Sequence, residues 1–364
     1  MPARPLTILQ LTHQGGGSGS TVAIANLSRQ LARRGHRVLI GCRPGTMLAG
    51  LTVDAGLELV PLDFRRLGPL AAALGDVMAR EGVEVANSNA TRDRRALTWL
   101  RWRRRLPHAF VVTRHTMPLT LTPALIAVAV SADRTIAVSP AVARALRRRL
   151  HPRAGLRVVP NGIDRDRIDA APSAADVAAA RAALGDLAGR PVVLVLARRK
   201  DQHVLLEGLA ALQRPVVVAC VGIEGDPALR AIERTVPERH RVVYVPFTAR
   251  PLAFCRLATV SALPSRIEGL SIALLETMAL GLPAVASRAG GNPDVITSGE
   301  TGVLVSPLDP VAWAGALERV LGDREFAQRI ARAGRDLVRR EFTLERTAER
   351  TEAVYREALE RRRG

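Results

Sequence analysis

The sequence predicts an α/β protein of two doubly wound domains, each a parallel sheet covered by helices on both faces. Its 364 residues are enough for two domains that each bury a core. Short runs rich in Val, Ile and Leu alternate with longer Ala-, Leu- and Arg-rich stretches, as βαβ units require. An Ala-rich stretch after residue 164 separates two series of runs and predicts a helical linker.

Each apolar run predicts one strand. The first series is LTILQL, HRVLIGC, LELVPL, VEVANS, AFVVTRH, RTIAVS and RVVPN, and the second is PVVLVLA, PVVVACVG, RVVYVPF, ATVSALPS, LPAVAS and TGVLVSP. Ligands of such sheets bind beyond the carboxyl ends of the strands, so we expect the site in a cleft between the domains. The tail from Phe342 predicts one amphipathic helix with a stripe formed by Leu344, Thr347, Val354, Tyr355 and Leu359.

Charge is distributed unevenly along the chain. The formal net charge is +19, from 53 Lys+Arg and 34 Asp+Glu. Residues 1–170 hold 26 Arg against 11 acidic residues, a net of +15, and the remainder holds 27 basic against 23 acidic, a net of +4. Such an excess attracts nucleic acid, acidic lipid or phosphorylated substrates. Because only 3% of residues are aromatic and no reader motif occurs, nucleic acid is the least favoured partner.

Compartment and membrane contact follow from composition. Three scattered cysteines (Cys42, Cys220 and Cys255) form neither a disulfide framework nor a metal motif, which favours the cytoplasm. No apolar run reaches the roughly 18 residues that span a bilayer. Residues 92–105 mix Trp99 and Trp102 with arginines. They form either a surface that contacts the anionic inner membrane or a helix whose tryptophans face its own core.

A glycine-rich loop follows the first predicted strand. The strand is expected to end near Thr12 and the next helix to begin near Ser20. Glycine lets a ligand approach the backbone, and a helix N-terminus attracts anions, so Gly16 and Gly17 are candidate donor-binding residues. The string is neither a dinucleotide fingerprint nor a Walker A loop, so a plain strand–helix turn is the alternative.

The most specific segment is LPSRIEGLSIALLETMALGLPAVASRAGGNPDVI. Glu268 is predicted to lie in a loop before a helix that begins near Ser271, and Glu276 about one and a half turns into that helix. Acidic residues in so apolar a run need a partner or a ligand. Their carboxylates can accept hydrogen bonds from hydroxyls, and the amides of residues 269–271 can hold a phosphate or a sugar hydroxyl.

This segment resembles the signature of the retaining glycosyltransferases of family 4, which have the GT-B fold with a C-terminal crossover helix. The glycine loop, Val138-Ser139-Pro140, Val159–Asp164 and Gly299–Gly302 resemble further family segments in the same order. The resemblance implies an acceptor-binding Rossmann-like domain over 1–168, joined by helix 344–364, and a nucleotide-sugar-binding domain over 169–343. The alternative is a GT-B nucleotide-sugar enzyme of another kind, such as an epimerase.

On the donor side the resemblance assigns roles residue by residue. Glu276 would hold the ribose hydroxyls of the donor, and Glu268 would contact hydroxyls of the transferred sugar. The backbone amides of Gly269, Leu270 and Ser271 would meet the diphosphate.

Lys200 matches the family's phosphate-binding lysine. The family's usual arginine position holds Val195 here, so Arg198 or Arg199 must supply that charge, and Asp201 replaces the following glycine. An exposed basic loop is the alternative for this segment.

On the acceptor side the chain resembles a bacterial subset linked to lipopolysaccharide and capsule sugars. The histidine expected at the tip of the fourth strand corresponds to Asn89. Either that role is dispensable or His115, which follows Arg114 at the end of the next strand, supplies it; His13 is a weaker candidate. A structural role for His115 is the alternative. The implied acceptor is an anionic glycolipid or a lipopolysaccharide-core saccharide.

The implied reaction is transfer with retention from a nucleotide sugar, with catalytic candidates Glu268, Lys200, Arg199 and His115. Lys200 and Arg199 would neutralise the diphosphate leaving group without a metal. The Asp164–Asp166 pair is interpreted as part of a turn, so neither metal nor cofactor is expected.

Overall fold

The computed structural model describes residues 4–118 and 120–363. They form two compact units: unit 1 is Met1–Gly162 with Leu344–Gly364, and unit 2 is Ile163–Thr343. The boundary lies six residues before the one predicted after residue 168. The reason is local, because the Ile163 amide donates to the Phe342 carbonyl at 2.8 Å and Ile163 pairs with Thr343. The chain therefore already belongs to unit 2 at Ile163.

Thirteen strands lie in the described part of the chain, one on each predicted run. They are β1 (Thr7–Leu11), β2 (Arg37–Cys42), β3 (Glu58–Pro61), β4 (Val85–Ser88), β5 (Ala109–Arg114), β6 (Arg134–Ala137), β7 (Leu156–Val158), β8 (Val192–Leu196), β9 (Val217–Val221), β10 (Arg241–Val245), β11 (Val260–Leu263), β12 (Ala284–Ser287) and β13 (Val303–Val305).

The helices of the described residues fall between and after these strands. They are α1 (Gly19–Arg33), α2 (Met47–Asp54), α3 (Leu67–Arg80), α4 (Thr91–Trp102), α5 (Pro123–Ser131), α6 (Pro140–Arg147), α7 (Arg165–Asp169), α8 (Ala174–Leu184), α9 (Gln202–Gly208), α10 (Pro227–Glu233), α11 (Leu252–Cys255), α12 (Ile272–Ala279), α13 (Pro310–Gly322), α14 (Arg324–Glu341) and α15 (Leu344–Arg363). The Ala-rich stretch forms α8, and it belongs to unit 2.

Each unit is built on one parallel sheet. The order is β3-β2-β1-β4-β5-β6-β7 in unit 1 and β10-β9-β8-β11-β12-β13 in unit 2. Strand order therefore reverses between β1 and β4, and again between β8 and β11. At such a reversal the loops leave neighbouring strands in opposite directions, which opens a crevice at the carboxyl edge of the sheet. We call these two places the switch points of unit 1 and unit 2.

Helices bury both faces of the unit 1 sheet, which explains why its strands are continuous apolar runs. Leu9 and Leu11 pack with α3 and α4 residues such as Leu74 and Leu97. On the opposite face Ile8 packs with Tyr355 of α15. The Gln10 amide donates to the Tyr355 hydroxyl at 2.9 Å. The carboxyl-terminal helix is thus part of the core of unit 1.

That helix begins at Leu344, as the predicted helix 344–364 does and two residues after the start of the amphipathic tail predicted from Phe342. Phe342 ends α14 as its C-cap, and Thr343 pairs with Ile163. The predicted stripe is confirmed, since Leu344 and Tyr355 are 4% and 0% exposed. No helix in the described ranges is long and apolar enough to cross a membrane. The three cysteines are buried free thiols.

Candidate functional site

The candidate donor residues of unit 2 meet at its switch point. Lys200 follows β8 and Glu268 follows β11, and the Lys200 Nζ atom lies 3.1 Å from Glu268 Oε1. The Glu268 side chain is 9% exposed and that of Lys200 is 33% exposed. Two residues 68 positions apart in sequence therefore form one ion pair, in which the Lys200 side chain is partly exposed and the Glu268 oxygen is buried.

Gly290, in the loop after β12, fixes the backbone of Glu268. Its φ of +53° lies in the left-handed region, where a side chain is strained. A Cβ atom here would overlap the carbonyl oxygen of Glu268 and lie 2.8 Å from its nitrogen. The first glycine of the pair that follows the motif is therefore required for the position of Glu268.

Helix α12 begins where the sequence predicts. Ser271 is its N-cap, and its hydroxyl accepts a hydrogen bond from the Leu274 amide at 3.3 Å. Gly269 and Leu270, immediately before it, are buried. The positive end of the helix dipole favours an anion beside these residues.

Glu276 is 6% exposed and forms an ion pair with Arg167 of α7. Burial raises the pKa of Glu276, and the Arg167 charge partly opposes that rise. Arg167 was not predicted from the sequence. The available signal was Asp164, which caps α7 by accepting from the Arg167 amide at 3.3 Å. The interpretation of Asp164 and Asp166 as turn residues is therefore wrong, because Asp164 is the N-cap of α7 and Asp166 lies in its first turn.

Gln202 shapes the loop that carries Lys200. It is fully buried, its amide oxygen accepts from the Lys200 backbone at 2.7 Å, and its amide nitrogen donates to the Arg198 carbonyl at 2.8 Å. Asp201 accepts from the Arg266 amide at 2.7 Å and from its side chain at 2.9 Å. The residue that replaces the family's glycine thus joins the loops after β8 and β11.

The two candidate arginines of this loop differ. Arg198 is exposed, whereas the Arg199 Nε donates to Asp226 at 2.6 Å from a side chain that is 42% exposed. Val195 is fully buried in β8 and faces the apolar core, so it has no part in binding phosphate. Arg199 thus stands in a solvent-accessible ion pair near Lys200.

The glycine loop of unit 1 has two kinds of glycine. A Cβ at Gly15 would lie 2.6 Å from the Thr46 hydroxyl, so this position serves packing. Gly16 is exposed with open space around it, and its carbonyl accepts from the Thr21 hydroxyl at 2.6 Å. Gly17 is half-buried. Helix α1 begins at Gly19 with Ser18 as N-cap, one residue before the predicted start.

Asp93 holds together the loops at the unit 1 switch point. Its fully buried carboxylate accepts hydrogen bonds from the Ser88 hydroxyl at 2.6 Å and from the Asn89 backbone N–H at 3.1 Å. It also accepts from the His13 amide at 3.3 Å, and His13 Nδ1 lies 3.2 Å away. His13 is therefore tied into this structural network. The sequence analysis missed Asp93, which lies within the basic run 92–105.

The structure brings Asn89 and His115, the two alternatives for the acceptor-side role, into contact. The side-chain amide nitrogen of Asn89 donates to the side-chain oxygen of Gln10 and to the Leu11 carbonyl. The side-chain oxygen of Asn89 lies 2.9 Å from His115 Nε2. That nitrogen of His115 therefore carries the proton, and Nδ1 is left as a buried acceptor without a partner among the described residues. Burial, assisted by Arg94 and Arg114, lowers the pKa of His115 to about 4, so the ring is neutral at pH 7.

Asn89 and His115 line a pocket within unit 1 together with Thr113, Asn161 and Thr347. Behind His115, Arg94 and Arg114 add buried positive charge. Burial lowers the pKa of Arg94, and burial together with the Arg94 charge lowers the pKa of Arg114 to about 9. The Arg114 guanidinium therefore remains charged at neutral pH.

The tryptophans of the basic segment divide between the two interpretations. Trp99 is half-buried and packs on the core of unit 1. Trp102 is 64% exposed, and its indole nitrogen donates to the Ser131 hydroxyl at 2.8 Å. The segment is therefore a surface helix with one tryptophan left at the surface.

Comparisons with known proteins agree with this division into units. Residues 17–167 match the family model described as Glycosyltransferase Family 4, and residues 190–323 match the model described as Glycosyl transferases group 1. The chain is 31% identical to a D-inositol 3-phosphate glycosyltransferase of Xylanimonas cellulosilytica over 96% of this chain and 94% of that protein.

Two further comparisons add a relative and a fold. The chain is 37% identical to a GDP-mannose-dependent alpha-(1-6)-phosphatidylinositol monomannoside mannosyltransferase of Mycolicibacterium smegmatis, over 50% of this chain and 52% of that relative. The Anabaena HepE structure in complex with UDP-glucose matches with a TM-score of 0.82 at 20% identity, over 96% of this chain and 99% of that one. At that identity it is the fold that is shared.

Proposed function

Because the chain belongs to the family 4 glycosyltransferases and has the GT-B fold, we propose that it transfers a sugar, with retention, from a nucleotide-sugar donor to a phosphorylated acceptor. The observation that carries this proposal is the switch point of unit 2, where Lys200, Glu268 and Glu276 stand beside the N-terminus of α12. Two buried carboxylates and a helix N-terminus fit a ligand with hydroxyls at both ends and a diphosphate between them.

In this proposal the bound donor takes the place of the carboxylates that pair with the candidate cations in the unliganded protein. The diphosphate would attract Lys200 and Arg199 from Glu268 and Asp226, and the amides of residues 269–271 would approach its oxygens. Glu268 would then accept hydrogen bonds from the transferred sugar, and Glu276 from the ribose. Each partner exchange keeps the site charge-balanced, which limits the cost of desolvation.

Breaking the bond between the sugar and the nucleoside diphosphate would create an oxocarbenium-like sugar. An acceptor hydroxyl would attack it on the face that the diphosphate leaves, and the proton of that hydroxyl would pass to an oxygen of the departing diphosphate. No enzymic nucleophile is invoked, and Lys200, Arg199 and the α12 dipole would stabilise the leaving group. We propose that this charge stabilisation operates without a bound metal. Transfer that persists unchanged in EDTA supports this point, and transfer restored only by Mg²⁺ or Mn²⁺ contradicts it.

The acceptor is proposed to bind unit 1 near Asn89 and His115. The net +15 of residues 1–170 favours an anionic acceptor. The relatives named above are called an inositol 3-phosphate glycosyltransferase and a phosphatidylinositol monomannoside mannosyltransferase, which favours a phosphorylated polyol or its lipid. The lipopolysaccharide-core acceptor stays a prediction, to be assayed beside these.

We also propose that α4 and α5 contact anionic lipid. Trp102, Ile126 and Val130 are 64%, 40% and 65% exposed, and Arg103 and Arg104 are exposed beside Trp102. Exposed apolar side chains flanked by arginines suit the interface of an anionic bilayer. Flotation with anionic but not with zwitterionic vesicles is expected; absence of flotation at low salt contradicts the membrane contact.

The function is tested by thermal melts with UDP, GDP and ADP and their sugars. A rise with one nucleotide supports the donor site and identifies the base, and transfer from that donor tests the reaction. A rise with oligonucleotide alone would favour nucleic-acid binding. Interconversion of the nucleotide sugar without transfer would favour an epimerase.

A further inference from the structure

Near the carboxyl ends of β4 and β5, the buried Arg94 and the half-buried Arg114 form no ion pair within the described residues, although the nearby charge of Asp93 partly opposes the effect of burial on the pKa of Arg94. Arg94 is 8% exposed, and its Nε is buried without a hydrogen-bond partner. Arg114 is half-buried at the end of β5. Within residues 4–118 and 120–363, no carboxylate lies within ion-pair distance of either guanidinium, and neither makes a side-chain hydrogen bond. The nearby carboxylate of Asp93 already accepts from Ser88 and the surrounding backbone.

Elsewhere unit 1 pairs its partly buried arginines with acids. Arg101, seven residues along α4, lies 2.7 Å from Asp133. Arg134 lies 2.9 Å from Glu357, and Arg34 lies 2.8 Å from Glu352. A buried charge without a partner is far more costly than a paired one, so Arg94 and Arg114 lower the stability of the unliganded protein.

The two charges also act on one another and on His115. Arg94 lowers the pKa of Arg114, and both lower that of His115. Arg94, Arg114 and His115 thus lie in one region of positive potential at the carboxyl edge of β4 and β5. An anion bound there would relieve all three interactions at once.

We propose that Arg94 and Arg114 bind the phosphate group of the acceptor, so that His115 and Asn89 contact the polyol that carries it. The identification of this phosphate as part of the acceptor rests on the proposed function. The prediction of a phosphate site rests on the two arginines themselves. Two guanidiniums present several parallel N–H donors, which suit a tetrahedral dianion. The phosphate can be that of a soluble ester or of a lipid headgroup.

The test is calorimetric titration of the full chain with inositol 3-phosphate, inorganic phosphate and inositol. Inositol 3-phosphate and inorganic phosphate are expected to bind saturably and inositol not to bind. Arg94→Met and Arg114→Met, which keep the side-chain length, are each expected to weaken phosphate binding at least tenfold. Arg95→Met, an exposed arginine on the same helix, is the matched control and should bind as the native protein does.

A stability measurement separates this role from a structural one. Because Arg94→Met removes an unpaired buried charge, the melting temperature of the unliganded variant should rise, while phosphate no longer raises it. A variant that melts lower and still binds phosphate contradicts the proposal. Arg114→Met repeats the test at a less buried position.

Vesicles of phosphatidylinositol compared with phosphatidylcholine distinguish the two sources of phosphate. Flotation that Arg114→Met abolishes indicates a lipid headgroup, and tight binding of inositol 3-phosphate without flotation indicates a soluble ester. If nucleotides bind and phosphate affinity is equal in all variants, the phosphate site is wrong and the donor site stands. If phosphate binding depends on the arginines but no nucleotide sugar is used, the proposed function fails and the phosphate site stands.

Discussion

The two switch points occupy the same place in two similar sheets but differ in their balance of positive and negative charge. In unit 2 the pairs Lys200–Glu268, Arg167–Glu276 and Arg199–Asp226 join each cation to a carboxylate. In unit 1 the carboxylate of Asp93 accepts hydrogen bonds from the surrounding loops, and among the residues that the structure describes neither Arg94 nor Arg114 forms an ion pair. One site is balanced before a ligand arrives, and the other has an excess of positive charge.

This difference indicates two ways to receive an anionic substrate. A balanced site binds by exchange of partners, so it costs little stability and selects by geometry. An unbalanced site is strained until an anion arrives, so its affinity comes partly from relief of that strain. The following predictions are ordered by expected effect, and each would break or sharpen this contrast.

Glu268→Gln is expected to have the largest effect on activity. It keeps the shape of the side chain but removes the charge that pairs with Lys200 and that, in the proposed function, orients the sugar. Transfer should fall about 100- to 1000-fold with little change in melting temperature. Steady-state kinetics measure this, with Glu300→Gln, an exposed glutamate of unit 2, as the control. Undiminished turnover by the folded variant removes Glu268 from the site.

Gly290→Ala tests whether the position of Glu268 depends on backbone contact. The new Cβ would overlap Glu268 at a positive φ, with an expected loss of about 2–4 kcal/mol and at least tenfold lower transfer. Gly189→Ala is the matched control, because Gly189 also has a positive φ (+70°) but open space around it. It should lose about 1 kcal/mol and keep activity. Equal losses in the two variants would contradict the contact.

Arg167→Met breaks the balance of unit 2. It leaves Glu276 buried without its cation, so the pKa of Glu276 should rise further. Because Arg167 is 34% exposed, we expect a loss of about 1–3 kcal/mol in the free energy of unfolding. The double variant Arg167→Met/Glu276→Gln should recover most of it, and Arg165→Met on the same helix should cost little. A single variant as stable as the native protein would show that the pair is not needed.

Glu352→Gln tests the paired arginines of unit 1. Burial would raise the pKa of Glu352, but hydrogen bonds from Arg356, Arg34 and His36 lower it to about 2. The ionised form is therefore favoured by folding, and its contribution is complete above the usual glutamate range and lost as pH falls towards 2. Its size should be on the order of 1–3 kcal/mol. Melting curves from pH 7 to pH 3 should fall less steeply for the variant; parallel curves contradict this.

The fold could be predicted because parallel strands buried on both faces must be apolar along their whole length. The thirteen runs therefore stand out from the polar loops. Glu268 and Glu276 were recognisable for the converse reason, as acids inside an apolar run. Phe342 was placed in the last helix because nothing in the sequence marks the break at Thr343, which depends on pairing with Ile163.

The missed residues act through contacts that sequence does not display. Arg167 and Gln202 serve the site through partners far away or through the backbone. Arg94 lay within the basic run 92–105, which was interpreted as a surface that contacts the membrane or as a helix whose tryptophans face its own core. The available signal was its helical phase, since Arg94 and Arg101 are seven residues apart and so share the buried stripe of α4.

The place of α15 has a consequence for the order in which the protein forms during synthesis. Unit 2 is one continuous stretch, so all of its strands are present once residue 343 has been made. Unit 1 needs Tyr355 against Gln10, a contact across 345 positions of sequence. Its sheet is translated first, yet the part of one face over β5 and β6 stays uncovered until α15 leaves the ribosome. The core of the domain that is synthesised first is therefore completed last. Until then, chaperones or rapid synthesis of the remaining chain must keep its exposed apolar strands from aggregating.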